Sequence, residues 1–179
     1  MRIISGTARG TKLYSLPGNN TRPTLDRVKE ALFNIIQTRV KDANILDLFA
    51  VVELCGIEAL SRGAKSAVLC DNSYSAIKII NKNLEKTRLF DKAKVICKDY
   101  TICLEEVKKQ KFDIIFLDPP YRSEHGKKAI ETIEELNLLS KDGIIILETD
   151  EDIKLDCSLN LYDIREYGRV KLLFISKER

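Results

Sequence analysis

No apolar run in the 179-residue chain approaches the ~18–20 residues that a membrane-spanning helix needs. The opening Met1-Arg2-Ile3-Ile4-Ser5-Gly6 has no apolar core of the kind a secretory signal carries, so the expected location is cytoplasmic. Histidine is nearly missing. The one present, His125, cannot build a metal centre alone and reads as an ordinary loop residue. Five cysteines (Cys55, Cys70, Cys97, Cys103, Cys157) are an odd number without CxxC spacing. That excludes a clustered zinc site and leaves reduced thiols, four of them beside apolar residues of the expected core. No metal is expected. Net charge is small, with 30 Lys+Arg against 27 Asp+Glu, so the +3 selects no partner. Repeats, low-complexity tracts and internal linkers are also lacking.

What is present suits one α/β domain: 44% hydrophobic and 32% charged residues over 179 positions. It is read as a single unit, 1–179, with an N-terminal hairpin-and-helix extension (1–40) on a core (41–179). Ile3-Ile4 and Lys12–Leu16 flank a Gly6…Gly10 turn and can pair as a hairpin. Thr24 stands as an N-cap with Asp26 in the first turn, before a stripe of Val28, Ala31, Leu32, Ile35 and Ile36. Short apolar runs follow at Ile45–Phe49, Ala67–Cys70, Ala93–Cys97, Phe112–Leu117 and Gly143–Leu147. Between them lie helix-like stretches at Ile57–Arg62, Ser75–Arg88, Thr101–Lys109 and Gly126–Leu136. Continuous apolar strands separated by helices predict a parallel sheet covered on both faces. Leu161–Arg165 and Val170–Ser176 differ, being joined by a Tyr167-Gly168-Arg169 link too tight for a crossover. They predict a terminal antiparallel hairpin, and five parallel strands plus such a pair match the seven-stranded methyltransferase sheet.

Charge is uneven in one place. The first forty residues hold Arg2, Arg9, Lys12, Arg22, Arg27, Lys29 and Arg39 against Asp26 and Glu30. Such an excess suits a phosphate-binding face, with a solvated basic surface as the alternative. Acids mark the strand ends: Asp47, Asp71, Asp99 and Asp118 each lie at or just after the end of a successive predicted strand. In a doubly wound sheet ligands bind outside those ends. Asp71, 24 residues after Asp47, suits the two hydroxyls of a ribose. Asp99-Tyr100 suits the edge of an adenine, a solvated loop acid being the alternative for Asp99. Asp118-Pro119-Pro120-Tyr121 follows a buried strand, and its prolines end the ladder and stiffen the turn. A rigid carbonyl and carboxylate can accept both hydrogens of a planar amine and turn its lone pair out of the ring. Tyr121 offers a face on which an extruded base can stack.

At these residues the chain resembles the bacterial 16S rRNA guanine-N2 methyltransferases. The likeness runs from Met1 to the final hairpin. It is densest in Thr21-Arg22-Pro23-Thr24-Leu25-Asp26-Arg27-Val28-Lys29-Glu30, Asp47-Leu48-Phe49-Ala50, Gly56-Ile57-Glu58-Ala59-Leu60-Ser61-Arg62-Gly63-Ala64 and Asp118–Tyr121. The resemblance implies a Rossmann-like class I fold and S-adenosylmethionine (SAM) as cofactor. It implies a flipped guanine whose N2 meets Asp118 and Pro119, and ribosomal RNA, in a small-subunit particle, as partner. The implied cofactor set is Asp47, Phe49, Ala50, Gly56, Asp71, Asn72, Asp99, Tyr100 and Thr24. The implied RNA set is Arg2, Arg9, Lys12, Arg22 and Arg27; the sequence does not give an oligomeric state, and a monomer is the default expectation.

One segment departs from the family pattern Asp-Leu-Phe-Ala-Gly-Ser-Gly-x-Leu-Gly. Here the loop reads Ala50-Val51-Val52-Glu53-Leu54-Cys55-Gly56. Glycines allow positive φ and close backbone approach, which Val51 and Val52 resist, and Glu53 brings a carboxylate towards that of SAM. Weak SAM binding is therefore expected. A stretch encoding Gly-Ser-Gly-Ala-Leu-Gly becomes Val-Val-Glu-Leu-Cys-Gly when its first base is lost and one base is inserted before the last codon. A compensated frameshift and divergence in place are the two accounts. Other readings are transfer to adenine N6 or another base amine, and an RNA-binding protein with a defunct cofactor site. An NAD dehydrogenase lacks its GxGxxG here, and glutamine-amide methyltransferases typically carry Asn in place of Asp118.

Overall fold

The computed structural model describes residues 1–18, 23–50 and 54–177, with backbone alone at Pro23 and Thr24. Thr21, Arg22 and Val51–Glu53, the first three positions of the altered loop Val51–Cys55, lie outside the described residues. Elements run α1 (Pro23–Val40), β1 (Asn44–Leu48), α2 (Cys55–Ser61), β2 (Ser66–Asp71), α3 (Tyr74–Thr87), a 3₁₀ turn (Phe90–Lys92) and β3 (Ala93–Cys97). They continue with α4 (Tyr100–Glu106), β4 (Phe112–Leu117), α5 (His125–Glu135), β5 (Leu139–Thr149), β6 (Asn160–Tyr167) and β7 (Val170–Ser176). The sheet order is β3-β2-β1-β4-β5-β7-β6, with β1 to β5 parallel and β7 antiparallel to both β5 and β6. This is the expected seven-stranded, mostly parallel sheet with a C-terminal hairpin. The strand order reverses between β1 and β4, so the ligand crevice opens beside Asp47 and Asp118.

Apolar strand residues alternate between two cores. Ile45, Leu69, Ile114, Phe116, Ile144 and Ile146 face the layer of α1, α2 and α3. Leu46, Leu48, Ile115, Leu117, Ile145 and Leu147 face α4 and α5. Burial on both faces is why these strands read as unbroken apolar runs.

Four sequence expectations need correction. Thr24 does not cap α1: the helix already includes Pro23, whose fixed φ and missing N–H suit a first helical position. The stripe of α1 is Val28, Leu32, Phe33, Ile36 and Val40, while Ile35 is exposed because the helix turns that position away. Three cysteines are buried rather than four; Cys97 is exposed on the edge strand β3 and Cys157 is half-buried. His125 is no loop residue but opens α5, its ring edge-on to Tyr100 at 5.4 Å.

The N-terminal hairpin is minimal, a single antiparallel bridge between Arg2 and Lys12. Its attachment to the core is extensive. The Ile4 and Ser5 N–H groups donate to the Glu58 carboxylate at 3.0–3.2 Å, and Ala8 N–H donates to Ser61 Oγ at 3.0 Å. Gly6 lies at φ +91°, and a Cβ there would sit 1.8 Å from the Ser61 carbonyl oxygen. Only glycine lets the strap lie this close to α2.

Candidate active site

β1 and β4 each deliver an acid to the crevice, and β5 adds a third. Asp47 pairs with Phe116 and Phe116 with Ile146, so these three positions share one face of the sheet. One pleat further towards the strand ends stand Asp118 and Glu148, next to the paired Leu117 and Leu147. Asp47, Phe49, Cys55, Asp118 and Glu148 line one cleft, roofed by Leu32 of α1. An adjoining hollow shares Phe49 and is lined by Cys70, Asp71, Asn72, Lys98, Asp99 and Tyr100. The structure thus brings together most of the expected cofactor residues around Phe49.

Each of these side chains has a local reason for its position. Gly56, at the start of α2, donates its N–H to Asp47 Oδ2 at 2.7 Å. A Cβ on Gly56 would meet Leu69 Cδ2 at 2.2 Å and Asp47 Cβ at 3.2 Å, so a larger residue there would have to displace the buried Leu69 side chain. Burial drives the Asp47 carboxyl up to about 7, opposed by the Gly56 N–H and assisted by Asp71. Phe49 adopts φ 64° and Leu54 φ 53°. Left-handed backbone at non-glycine residues thus stands just before the altered loop, at Phe49, and inside it, at Leu54, a strain of about 1 kcal/mol each. Ala50 is buried and donates to the Cys70 carbonyl at 2.9 Å.

In the second hollow, Asp71 Oδ1 accepts the Ser73 N–H at 2.9 Å. Asp99 is the N-cap of α4, accepting the N–H and hydroxyl of Thr101 at 2.9 and 2.6 Å. Those bonds, the side-chain one first, hold its carboxyl below the usual range. Tyr100 is buried against Phe49, ring centroids 5.3 Å apart, and Asn72 is exposed at the rim.

The Asp118–Tyr121 turn is held from both sides. Pro119 is buried against α5: a Cβ on Gly126 would stand 3.2 Å from Pro119 Cγ. Pro120 is exposed, its carbonyl accepting the Ser123 hydroxyl at 2.6 Å. Tyr121 is 47% exposed, presenting ring surface while its hydroxyl donates to Glu148 Oε1 at 2.9 Å. Asp118 Oδ2 and Glu148 Oε2 are sealed from solvent, with no hydrogen-bond partner among the described residues. Burial first, then the Glu148 and Asp47 carboxylates, hold the Asp118 carboxyl well above its ordinary range. Two buried acceptors without a described partner call for an explanation, and a ligand that brings donors would supply one.

Sequence reasoning missed Glu148 and Glu58. Glu148 follows an apolar run and reads as a strand end, yet β5 continues through it to Thr149. Glu58 is fully buried, ion-paired with Lys29 at 3.6 Å and Arg62 at 2.9 Å. Lys29 is therefore a core residue and no part of the basic surface. Arg2, Arg9, Lys12 and Arg27 are all exposed, outside both hollows; Arg22 and the Thr24 side chain lie outside the described residues.

The family profile of conserved hypothetical protein 95 matches residues 1–176. A candidate rRNA methyltransferase of Bacillus subtilis (strain 168), YlbH, is 39% identical over 157 residues, 87% of this chain and 85% of its own. The ribosomal RNA small subunit methyltransferase D of Haemophilus influenzae is 36% identical over 154 residues, covering 85% and 80%. Among solved structures, a candidate methyltransferase of Escherichia coli, yhhF, superposes with a TM-score of 0.87 at 28% identity, over 99% of both chains. The fold is the Rossmann-like class I fold of SAM-dependent methyltransferases. With its strap, crevice acids and Asp-Pro-Pro-Tyr turn in one frame, the chain belongs to the conserved hypothetical protein 95 family, together with the small-subunit rRNA methyltransferases D.

Proposed function

We propose that this chain is a SAM-dependent rRNA methyltransferase that methylates the exocyclic N2 amine of a guanine in small-subunit rRNA. The observation that carries the reading is the orphaned Asp118 Oδ2 beside a backbone stiffened by Pro119 and Pro120. The residues of the two hollows fit the cofactor by chemistry: Asp71 for the ribose hydroxyls, Asp99 at the adenine edge, Phe49 and Tyr100 as apolar cover. SAM, when bound, supplies an electrophilic methyl carbon on a sulfonium.

The chain's own residues prepare the amine. Asp118 and the Pro119 carbonyl accept its two hydrogens, which pulls them out of the ring plane and aims the lone pair at the methyl carbon. A carboxyl held above its ordinary range is also a stronger proton acceptor, suited to the proton the amine sheds. Tyr121 stacks on the base through its exposed face while its hydroxyl stays on Glu148. The exposed Arg2, Arg9, Lys12 and Arg27 hold phosphates of the RNA.

Small ribosomal particles assembled from unmodified transcribed 16S rRNA test this, with labelled SAM and mapping of the methylated nucleotide. N2-methylguanine at one position supports the reading, with Asp118→Ala lowering kcat about 100-fold or more while S-adenosylhomocysteine (SAH) binding stays within about threefold. Methyl groups on adenine, or none on rRNA, would refute it.

A further inference from the structure

Asp118 and Glu148 stand side by side at the ends of neighbouring parallel strands and line the same cleft, and each has one solvent-free oxygen with no hydrogen-bond partner among the described residues. The Tyr121 hydroxyl donates to Glu148 Oε1, which fixes the carboxylate and leaves Oε2 without a partner among the described residues. The far neighbour of Glu148 across the sheet, Leu172, is apolar and offers it no donor side chain. Two adjacent acceptors therefore await two adjacent donors, one of them an amine.

The base edges differ in this respect. Guanine presents an amine, N2, beside the N1–H, two donor groups in a row. Adenine sets its N6 amine beside a bare N1 lone pair, and cytosine sets N4 beside a bare N3. Uracil has no amine. Facing a carboxylate oxygen, a ring lone pair is repelled, whereas an N–H makes a charge-assisted bond. We infer that Glu148 is the specificity-determining residue of this site, its Oε2 accepting the guanine N1–H while Asp118 and Pro119 hold the N2 amine. The inference rests on the methylation reading above and adds to it the group that separates guanine from adenine. A site built to meet a donor discriminates strongly against a base that lacks it, because its own acceptor is then left unpaired.

The test uses the same reassembled particles. Wild-type enzyme first locates the methylated nucleotide, and a second particle carries adenine there. Glu148→Gln replaces one acceptor oxygen by an amide that can donate to adenine N1. It is expected to lower kcat/KM on the guanine particle ~10-fold or more and the guanine-to-adenine ratio by ~100-fold. The ratio is internal to one preparation, so partial misfolding does not move it. Tyr121→Phe, which removes the hydroxyl that fixes Glu148, is expected to lower the same ratio by a smaller factor. It also serves if E148Q does not fold. An unchanged ratio overturns the inference and leaves guanine methylation standing. Wild-type preference for the adenine particle, or transfer to neither, overturns both.

Discussion

At Asp47 the chain places a carboxylate where a charge is costly. The residue is 4% exposed, and its Oδ2 has the Gly56 N–H at 2.7 Å as a donor. Its folded-state pKa is raised from 3.8 to about 7, so the folded protein holds this proton more tightly than the unfolded chain. Its contribution to stability is therefore full below about pH 4 and is lost as pH rises through about 7. The upper bound is on the order of 4 kcal/mol. Asp47→Asn keeps an acceptor oxygen for Gly56 and cannot ionise. We expect its Tm, in the absence of SAM, to exceed wild type by several degrees at pH 8 and to converge with it near pH 4. A pair of thermal melts at the two pH values checks this, and an equal difference at both would contradict the assignment.

Among the elements, α2 joins the cofactor side to the N-terminal strap, and its two ends predict different things. Its first residues follow the altered loop. Phe49 and Leu54 adopt left-handed backbone on either side of 51–53, and the family pattern has Gly-Ser-Gly at those three positions, where glycine adopts such backbone without strain. The triple change Val51→Gly, Val52→Ser, Glu53→Gly is expected to tighten SAH binding about tenfold or more by calorimetry, roughly 1.4 kcal/mol. Ordinary micromolar binding by the unaltered chain would refute the claim that the loop impairs the site. The encoding DNA tests the compensated frameshift, which requires one deleted and one inserted base relative to close relatives. At the other end, Glu58 holds Lys29, Arg62 and the Ile4 and Ser5 N–H groups at once. Glu58→Ala leaves the 1%-exposed Lys29 without its carboxylate and frees the strap. A loss of about 3–5 kcal/mol in denaturant unfolding is expected, far more than for an exposed pair such as Lys108–Glu105.

Over the molecule as a whole, net charge is small, and attraction to RNA depends on where the cations stand. The strap and α1 carry Arg2, Arg9, Lys12 and Arg27 in the open, with the Arg2–Lys12 bridge keeping two of them adjacent. Replacing the four with alanine is expected to weaken small-subunit rRNA binding and to flatten the slope of log K against log salt by about 2–3 units. Filter binding at 50 to 300 mM salt measures it. An unchanged slope would remove this face from RNA binding.

The sequence by itself determined the order and nature of the elements. Buried parallel strands are written as short apolar runs, and β3 and β4 begin and end where those runs do. It also set Asp47, Asp71, Asp99 and Asp118 at the carboxyl ends of the strands, where they line two adjoining hollows, because the acids close the apolar runs. The sequence could not show what depends on contacts between distant positions. Lys29 reads as surface charge until α2 brings Glu58 to it, 29 residues along the chain. Glu148 reads as a polar strand end until β5 is set in register beside β4 and its side chain meets the Tyr121 hydroxyl. A buried charged residue is defined by its partner, and only the tertiary structure supplies one.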